Sequence, residues 1–207
     1  MAQRHITTPM SDWIKLFGPV VIILILVLLG FWAQSRQKRN EVLEQWIALG
    51  KCGPAESFLG TLDIAEHRPG LLRLTRSSQK TKWLQFQYRW LTGLSEQATW
   101  DEVLFDGSRG VIELKRKEKV TSFPFSKFSA IRMRELSQGE AGSLWHMELL
   151  AVEGRNVLFA TSTRGNRQTA FENSAGLARA ISAITSLPVH VVMAGNVWTP
   201  GWPPKNL

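Results

Sequence analysis

The sequence predicts an α+β chain: an N-terminal transmembrane helix, then an antiparallel β-domain closed by a C-terminal helix. Three observations carry this. Residues 16–33, "LFGPVVIILILVLLGFWA", are eighteen positions without a charge, enough for a membrane-spanning helix. From Leu71 onward apolar and polar residues alternate with a period of two, interrupted by glycine turns. After Asn166 the period becomes helical, with Ala170, Phe171, Ala175, Leu177, Ala178, Ile181 and Ile184 at helical spacing and Pro188 as the stop.

The 207 residues suit one modest domain with accessories, or two very small ones. The formal net charge of +8 points to anionic partners, whether nucleic acid, acidic lipid or an acidic protein face, or simply to a solvated basic surface. Nine tryptophans beside one tyrosine point to membrane-interface anchoring, partner contacts, or both. The single cysteine, Cys52, excludes an internal disulfide.

A short segment, residues 1–15, precedes the span at 16–33. Trp13 and Trp32 lie 19 residues apart, about 28 Å along a helix, which matches the thickness of the hydrocarbon layer. They read as anchors at its two interfaces. Pro19 falls in the first turn of this span, where a missing N–H costs little. A cleaved signal peptide is the competing reading. The block ends in Phe31-Trp32, however, and only Ala33 and Ser35 are small before the positive charges begin. An uncleaved, single-pass anchor is therefore expected. Arg36, Lys38 and Arg39 outnumber Arg4 and Lys15, which predicts a cytoplasmic C-terminal side.

Residues 34–70 read as a juxtamembrane helix and linker. Leu43, Trp46, Ile47 and Gly50 recur at helical spacing, with Gly50 and Gly53-Pro54 as a stop. This is either a plain stalk or an amphipathic helix at headgroup level. In the second case Trp46 dips into the interface and Arg36, Lys38 and Arg39 face lipid phosphates. His67 to Gly70 reads as the turn into the folded domain.

Residues 71–189 form that domain. "LLRLTR" and "KWLQFQYRWL" alternate as strands. "TWDEVLFD", "GSRG" and "VIELKRKEKV" form a hairpin, and "SLWHMELLAV", "EGRN" and "VLFATSTR" form another. Trp145, Met147 and Leu149 share one face. Residues 190–207 are a Trp/Pro-rich tail in which Trp198 and Trp202 are candidate partner contacts, because a proline-stiffened segment loses less entropy on docking.

In "WDEVLFDGSRGVIELKRK", "FPFSKFSAIRM", "VEGRNVLFAT" and "FENSAGLARAISAITSLPV", the order and texture resemble the bacterial pleckstrin-homology-like domains, which are often tethered to transmembrane helices. The resemblance covers residues 71–189. It implies a bent barrel or sandwich plugged by its final helix, in the bacterial inner membrane, with binding or scaffolding rather than chemistry as its role. It supplies no fixed ligand residues.

Lys115, Arg116, Lys117 and Lys119 are then either a solvated strand face that discourages edge pairing or a contact for anionic lipid. Phe123, Phe125 and Phe128 are either core or a ligand platform. A second, partial resemblance is to the cyclic-dinucleotide-binding PilZ domains. Arg73 and Arg76 would clamp phosphates, and Asp106 with Ser108 would open a strand. The departures are that Gly110 falls one residue early and that Lys80 stands where a second arginine is expected.

No metal-ligand spacing occurs among His5, His67, His146 and His190. There is no nucleophile elbow, Walker loop or dinucleotide fingerprint. No catalysis and no cofactor are expected. The expected function is an accessory, scaffold or assembly subunit of a membrane complex, with the membrane and other membrane subunits as partners. Anionic-lipid or cyclic-dinucleotide sensing is the alternative. Nucleic acid is disfavoured, because no helix-turn-helix, RNP or zinc pattern accompanies the charge.

Overall fold

The structure is a computed structural model that describes residues 10–77, 100–137, 142–162 and 165–194, with side chains of the first helix from Gly18 on. The strand expected over residues 82–91, Lys80, the side chain of Trp13, and the tail with Trp198 and Trp202 lie outside the described residues. The chain divides into two units, Met1–Arg39 and Asn40–Leu207.

The first unit is the apolar part of helix α1, Met10–Ala48. Its side chains from Val20 to Leu29 are all about half exposed or more. The helix is long and apolar enough to cross a membrane. It starts before the apolar block, because residues 10–15 continue the helix. Pro19 therefore lies inside α1 rather than in its first turn, and removes one backbone hydrogen bond there.

The second unit begins with the last turns of α1. Leu43 and Ile47 are buried, and Trp46 is 9 % exposed with its ring stacked on Phe171 at 5.4 Å and 7°. This corrects the headgroup reading of Trp46: its indole packs against protein, not lipid. The helix ends in a Schellman motif. Gly50 takes φ +72°, its N–H donates to Ile47 O, and the Lys51 N–H donates to Trp46 O.

Five strands follow as an antiparallel meander: β1 Leu62–Arg68, β2 Leu71–Arg76, β3 Glu102–Asp106, β4 Val111–Arg116 and β5 Lys119–Pro124. β1 occupies what reads in sequence as linker. A register shift between Ile64 and Glu66 breaks its alternation, so the period-two signal fades although Leu62 is buried. The second sheet has the order β8-β7-β6-β9, with β6 Phe128–Ser137, β7 Ser143–Ala151, β8 Val157–Thr161 and β9 Val189–Val192. β9 runs parallel to β6. This corrects the wholly antiparallel expectation and turns the first residues of the expected tail into a strand. Among the described residues the two sheets are separate and form no closed barrel.

Helix α2, Arg167–Thr185, connects β8 to β9. Asn166 caps it by accepting from Gln168 N, and Ser186 ends it at φ +59°. Its buried face is Ala170, Phe171, Ala175, Leu177, Ala178 and Ile181, and it contacts β2 and β3 of one sheet and β6, β7 and β9 of the other. One apolar core results. Phe105 meets Phe159 edge-on at 5.6 Å, and Trp145 meets Phe171 at 5.2 Å. Phe128 is buried, while Phe123 and Phe125 are half-buried and pack against this core. Gly176 lets α2 approach the preceding loop: a Cβ there would stand 2.2 Å from Gly53 O.

Candidate functional site

The basic hairpin is the most exposed charged element among the expected site residues. β4 and β5 pair from Val111↔Pro124 to Arg116↔Lys119, which leaves a two-residue turn, Lys117-Glu118. Ile112 and Leu114 of β4 are buried in the core, and the residues from Lys115 to Val120 are exposed. The four cations are therefore not one row. Lys115 lies on the outer sheet face with its Nζ 3.8 Å from Glu102. Arg116 and Lys119 face each other across the last rung. Lys117 sits in the turn at φ +55°, with its N–H bonded to the Asp101 carboxylate. Asp101 also pairs with Arg76 at 3.1 Å and donates its own N–H to Lys115 O. The turn is thus held from outside the hairpin by a residue of the segment leading into β3.

The residues of the cyclic-dinucleotide reading are otherwise engaged. Arg73 pairs with Glu102 at 3.2 Å, and Arg76 with Asp101. Asp106 accepts from Ser108 Oγ at 2.6 Å and from Arg109 N and Nε. The Ser108 bond first, then those from Arg109, hold the Asp106 carboxyl well below the usual carboxylate range. Arg109 continues to Glu113 at 2.7 Å. Asp106 and Ser108 thereby close the β3–β4 turn, and the arginines are anchored to strand carboxylates instead of converging on an open site.

At the apolar end, Trp32 is 43 % exposed, and the Arg36 guanidinium lies 4.1 Å from its ring centroid. Arg39 donates to Ser35 O, and Lys38 is exposed.

Several polar groups that the sequence does not single out are placed with more constraint. Glu135 on β6 is buried and accepts both Nε and Nη2 of Arg167 at 2.5 Å, Ser143 Oγ at 2.7 Å and Ala194 N at 3.1 Å. Glu148 on β7 accepts from Arg132 and Arg134 of β6. Beside it His146 is 2 % exposed. Burial pushes its pKa down to about 4, against the pull of Glu148 and with the help of Arg134. Glu44 and Asn40 on α1 accept from Val191 N and Met193 N of the β9 segment, at 2.9 and 3.4 Å. Burial also raises the Cys52 thiol pKa, opposed by the neighbouring Arg179. Among the described residues no three His, Cys, Asp or Glu side chains gather to hold a metal ion. For Glu135, Glu148, Arg132 and Arg134 the sequence signal is charge at strand positions, which by itself does not distinguish a buried pair from a solvated face. No protein-family model, curated protein or solved structure matches this chain.

Proposed function

We propose that the chain is a non-catalytic, membrane-anchored accessory subunit that scaffolds or helps assemble a membrane protein complex through a pleckstrin-homology-like domain. One observation carries this reading. The same helix that supplies the apolar span also supplies Leu43, Trp46 and Ile47 to the core of the folded unit. An anchor built into a domain in this way suits a protein whose task is to hold a binding surface at a membrane.

Two further features support it. Eight peptide units separate Trp32 from Asn40, and a fully extended chain covers at most about 29 Å over that length. The buried carboxylates Glu135 and Glu148 pair across elements, the first with Arg167 and the second with Arg132 and Arg134. The hairpin-then-helix order and the α2 packing agree with the pleckstrin-like resemblance, and β9 is an addition to it. The single-pass topology with a cytoplasmic domain rests on the Lys/Arg excess after the span.

The test is purification of the full-length protein from its native membrane in mild detergent, with mass spectrometry of what accompanies it. Stoichiometric membrane subunits are expected. A protein that leaves the membrane fraction without detergent, or that emerges alone at every detergent strength, would overturn the proposal.

A further inference from the structure

We propose that β5 is the edge through which two copies of the chain pair. The two strands run antiparallel across a two-fold axis at Thr121, and the first sheets of both copies continue as one.

Among the described residues the two sheets present four edge strands, β1, β5, β8 and β9, and an unguarded edge is a template for another strand. Three of them are guarded. β9 is met by Glu44 and Asn40. β8 is met by Trp100, whose Nε1 donates to Leu158 O at 2.9 Å, and by Thr61, whose N–H donates to Thr161 O and whose hydroxyl accepts from Thr161 N. β1 is broken by the register shift after Ile64 and carries Asp63, Glu66 and Arg68. β5 has none of these devices. Its pairing with β4 is unbroken over six residues. Lys119 guards only its first position, and Val120 to Pro124 carry no charge. Val120, Ser122 and Pro124 are exposed.

The hydrogen bond from Phe125 N to Gly110 O fixes which groups face outward. It places Thr121 and Phe123 among the residues bonded to β4, so the N–H and C=O of Val120 and Ser122 and the C=O of Pro124 point away from it. Proline at that last place forfeits no bond of the ladder. This edge is complementary to itself. With Thr121 opposite Thr121, Val120 of each copy exchanges two hydrogen bonds with Ser122 of the other, and neither residue keeps an unpaired group. A slip of two residues sets the Val120 carbonyl against Pro124, which has no N–H to offer. The charges suit the same arrangement. Lys119 of one copy comes beside Phe123 of the other, a ring that already receives Lys127 at 5.6 Å. The two Lys119 residues stand about 13 Å apart along the strands, beyond the Debye length of about 8 Å at physiological salt. One strand pair is smaller than the roughly 1,200 Å² at which standard interfaces begin. Pairing therefore needs two copies held in one membrane at high effective concentration, and to that extent the inference rests on the membrane-anchored reading above.

The experiment is mild oxidation of full-length single-cysteine variants in their native membrane, in a Cys52→Ser background, with the products read by mass spectrometry. Thr121→Cys should give a disulfide-linked dimer, because a non-hydrogen-bonded antiparallel pair brings its Cα atoms to about 4.5 Å, within disulfide range. Val120→Cys, two residues out of register with its own copy, and Asp63→Cys on β1 should give at least several-fold less. Equal yields at the three positions, or no dimer from Thr121→Cys, would overturn the proposal. A disulfide from Thr121→Cys to a different protein would overturn the second copy as the occupant. Ser122→Pro removes an N–H that faces away from β4, so it should abolish the Thr121→Cys dimer and leave the melting curve in place. A dimer that persists in that variant would overturn the strand pairing, and the contrast between Thr121→Cys and Val120→Cys decides the register without it. Co-purification of other membrane subunits tests the scaffold reading separately. A chain that leaves the membrane without detergent refutes the anchor alone, and the same variants oxidised at high protein concentration then decide the pairing.

Discussion

Replacing Trp46 with alanine separates two readings of the end of α1. If the indole sits at headgroup level, its loss weakens membrane association and leaves the folded unit as stable as before. The structure demands the opposite. Trp46 is 9 % exposed and stacks on Phe171, which itself meets Trp145. A tryptophan side chain removes about 200 Å² from water, and at about 25 cal/mol per Å² its near-complete burial is worth roughly 4 to 5 kcal/mol. Truncation of buried aromatics costs about 3 to 5 kcal/mol once partial collapse of the cavity is included. We therefore expect a loss of about 4 kcal/mol. For a domain of this size that lowers Tm by roughly 12 °C. The assay is near-UV circular dichroism of the full-length protein in detergent, with Trp32→Ala as the control. Trp32 lies outside the folded unit, so its variant should melt with the parent. Trp46→Phe should recover part of the loss, because a smaller ring can still stack. A Trp46→Ala protein melting within about 2 °C of the parent, well under the shift expected for such a truncation, would refute the placement of the helix end in the core.

Other expectations follow from the same geometry. Arg167→Met leaves Glu135 buried without its main partner, at a cost of about 3 to 5 kcal/mol. Adding Glu135→Leu should recover much of this in denaturant titration, although Ser143 Oγ and Ala194 N lose an acceptor. His146 titrates near 4 when folded and near 6.5 when unfolded. The unfolded chain thus binds the proton first, and stability is full above about pH 6.5 and falls as pH drops toward 4, by at most about 3 kcal/mol. His146→Gln should flatten that segment of the stability profile, which urea titrations across the pH range would show. Lys117→Gly should raise stability by about 1 kcal/mol, because it removes a lysine from the left-handed region. A drop in Tm would contradict the strain assigned to that turn.

What the sequence makes legible is whatever repeats with a clean period. The apolar run of α1, the alternation of Trp145, Met147 and Leu149, and the Ala-rich face of α2 are all read correctly from spacing. The residues that depart do so for physical reasons. β1 hides because its bulge after Ile64 shifts the phase. β9 hides because four residues after a helix stop look like the start of a tail, and parallel pairing with β6 is a long-range event. Trp46 misleads because an indole beside basic residues looks the same in sequence whether lipid or Phe171 covers it. The basic run misleads in a subtler way. Its composition suggests one charged row, but the two-residue turn places Lys115 outward against Glu102, opposes Arg116 to Lys119 and isolates Lys117. Nothing in the string "KRKEK" specifies that division without the register.

The most constrained part of the second sheet is its edge. A parallel edge strand presents alternate N–H groups away from its partner, and an open edge invites pairing with other chains. Here Val191 N and Met193 N are met by Glu44 and Asn40, two side chains one helical turn apart on α1, and Ala194 N is met by Glu135. Glu44 and Asn40 thus substitute for a neighbouring strand, while Glu135 belongs to β6, the strand with which β9 already pairs. The spacing is natural: residues i and i+4 of a helix stand about 6 Å apart along its axis, close to the two-residue repeat of a strand edge. The same turns bury Leu43 and Ile47 beneath them, so the polar edge contacts and the apolar contacts are made by adjacent faces of one helix and form together or not at all. The folded unit consequently begins at Asn40 rather than at Leu71, and β9 is completed by residues about 150 positions earlier in the chain. A domain closed in this way cannot lose the last turns of α1 without exposing both its core and its last strand.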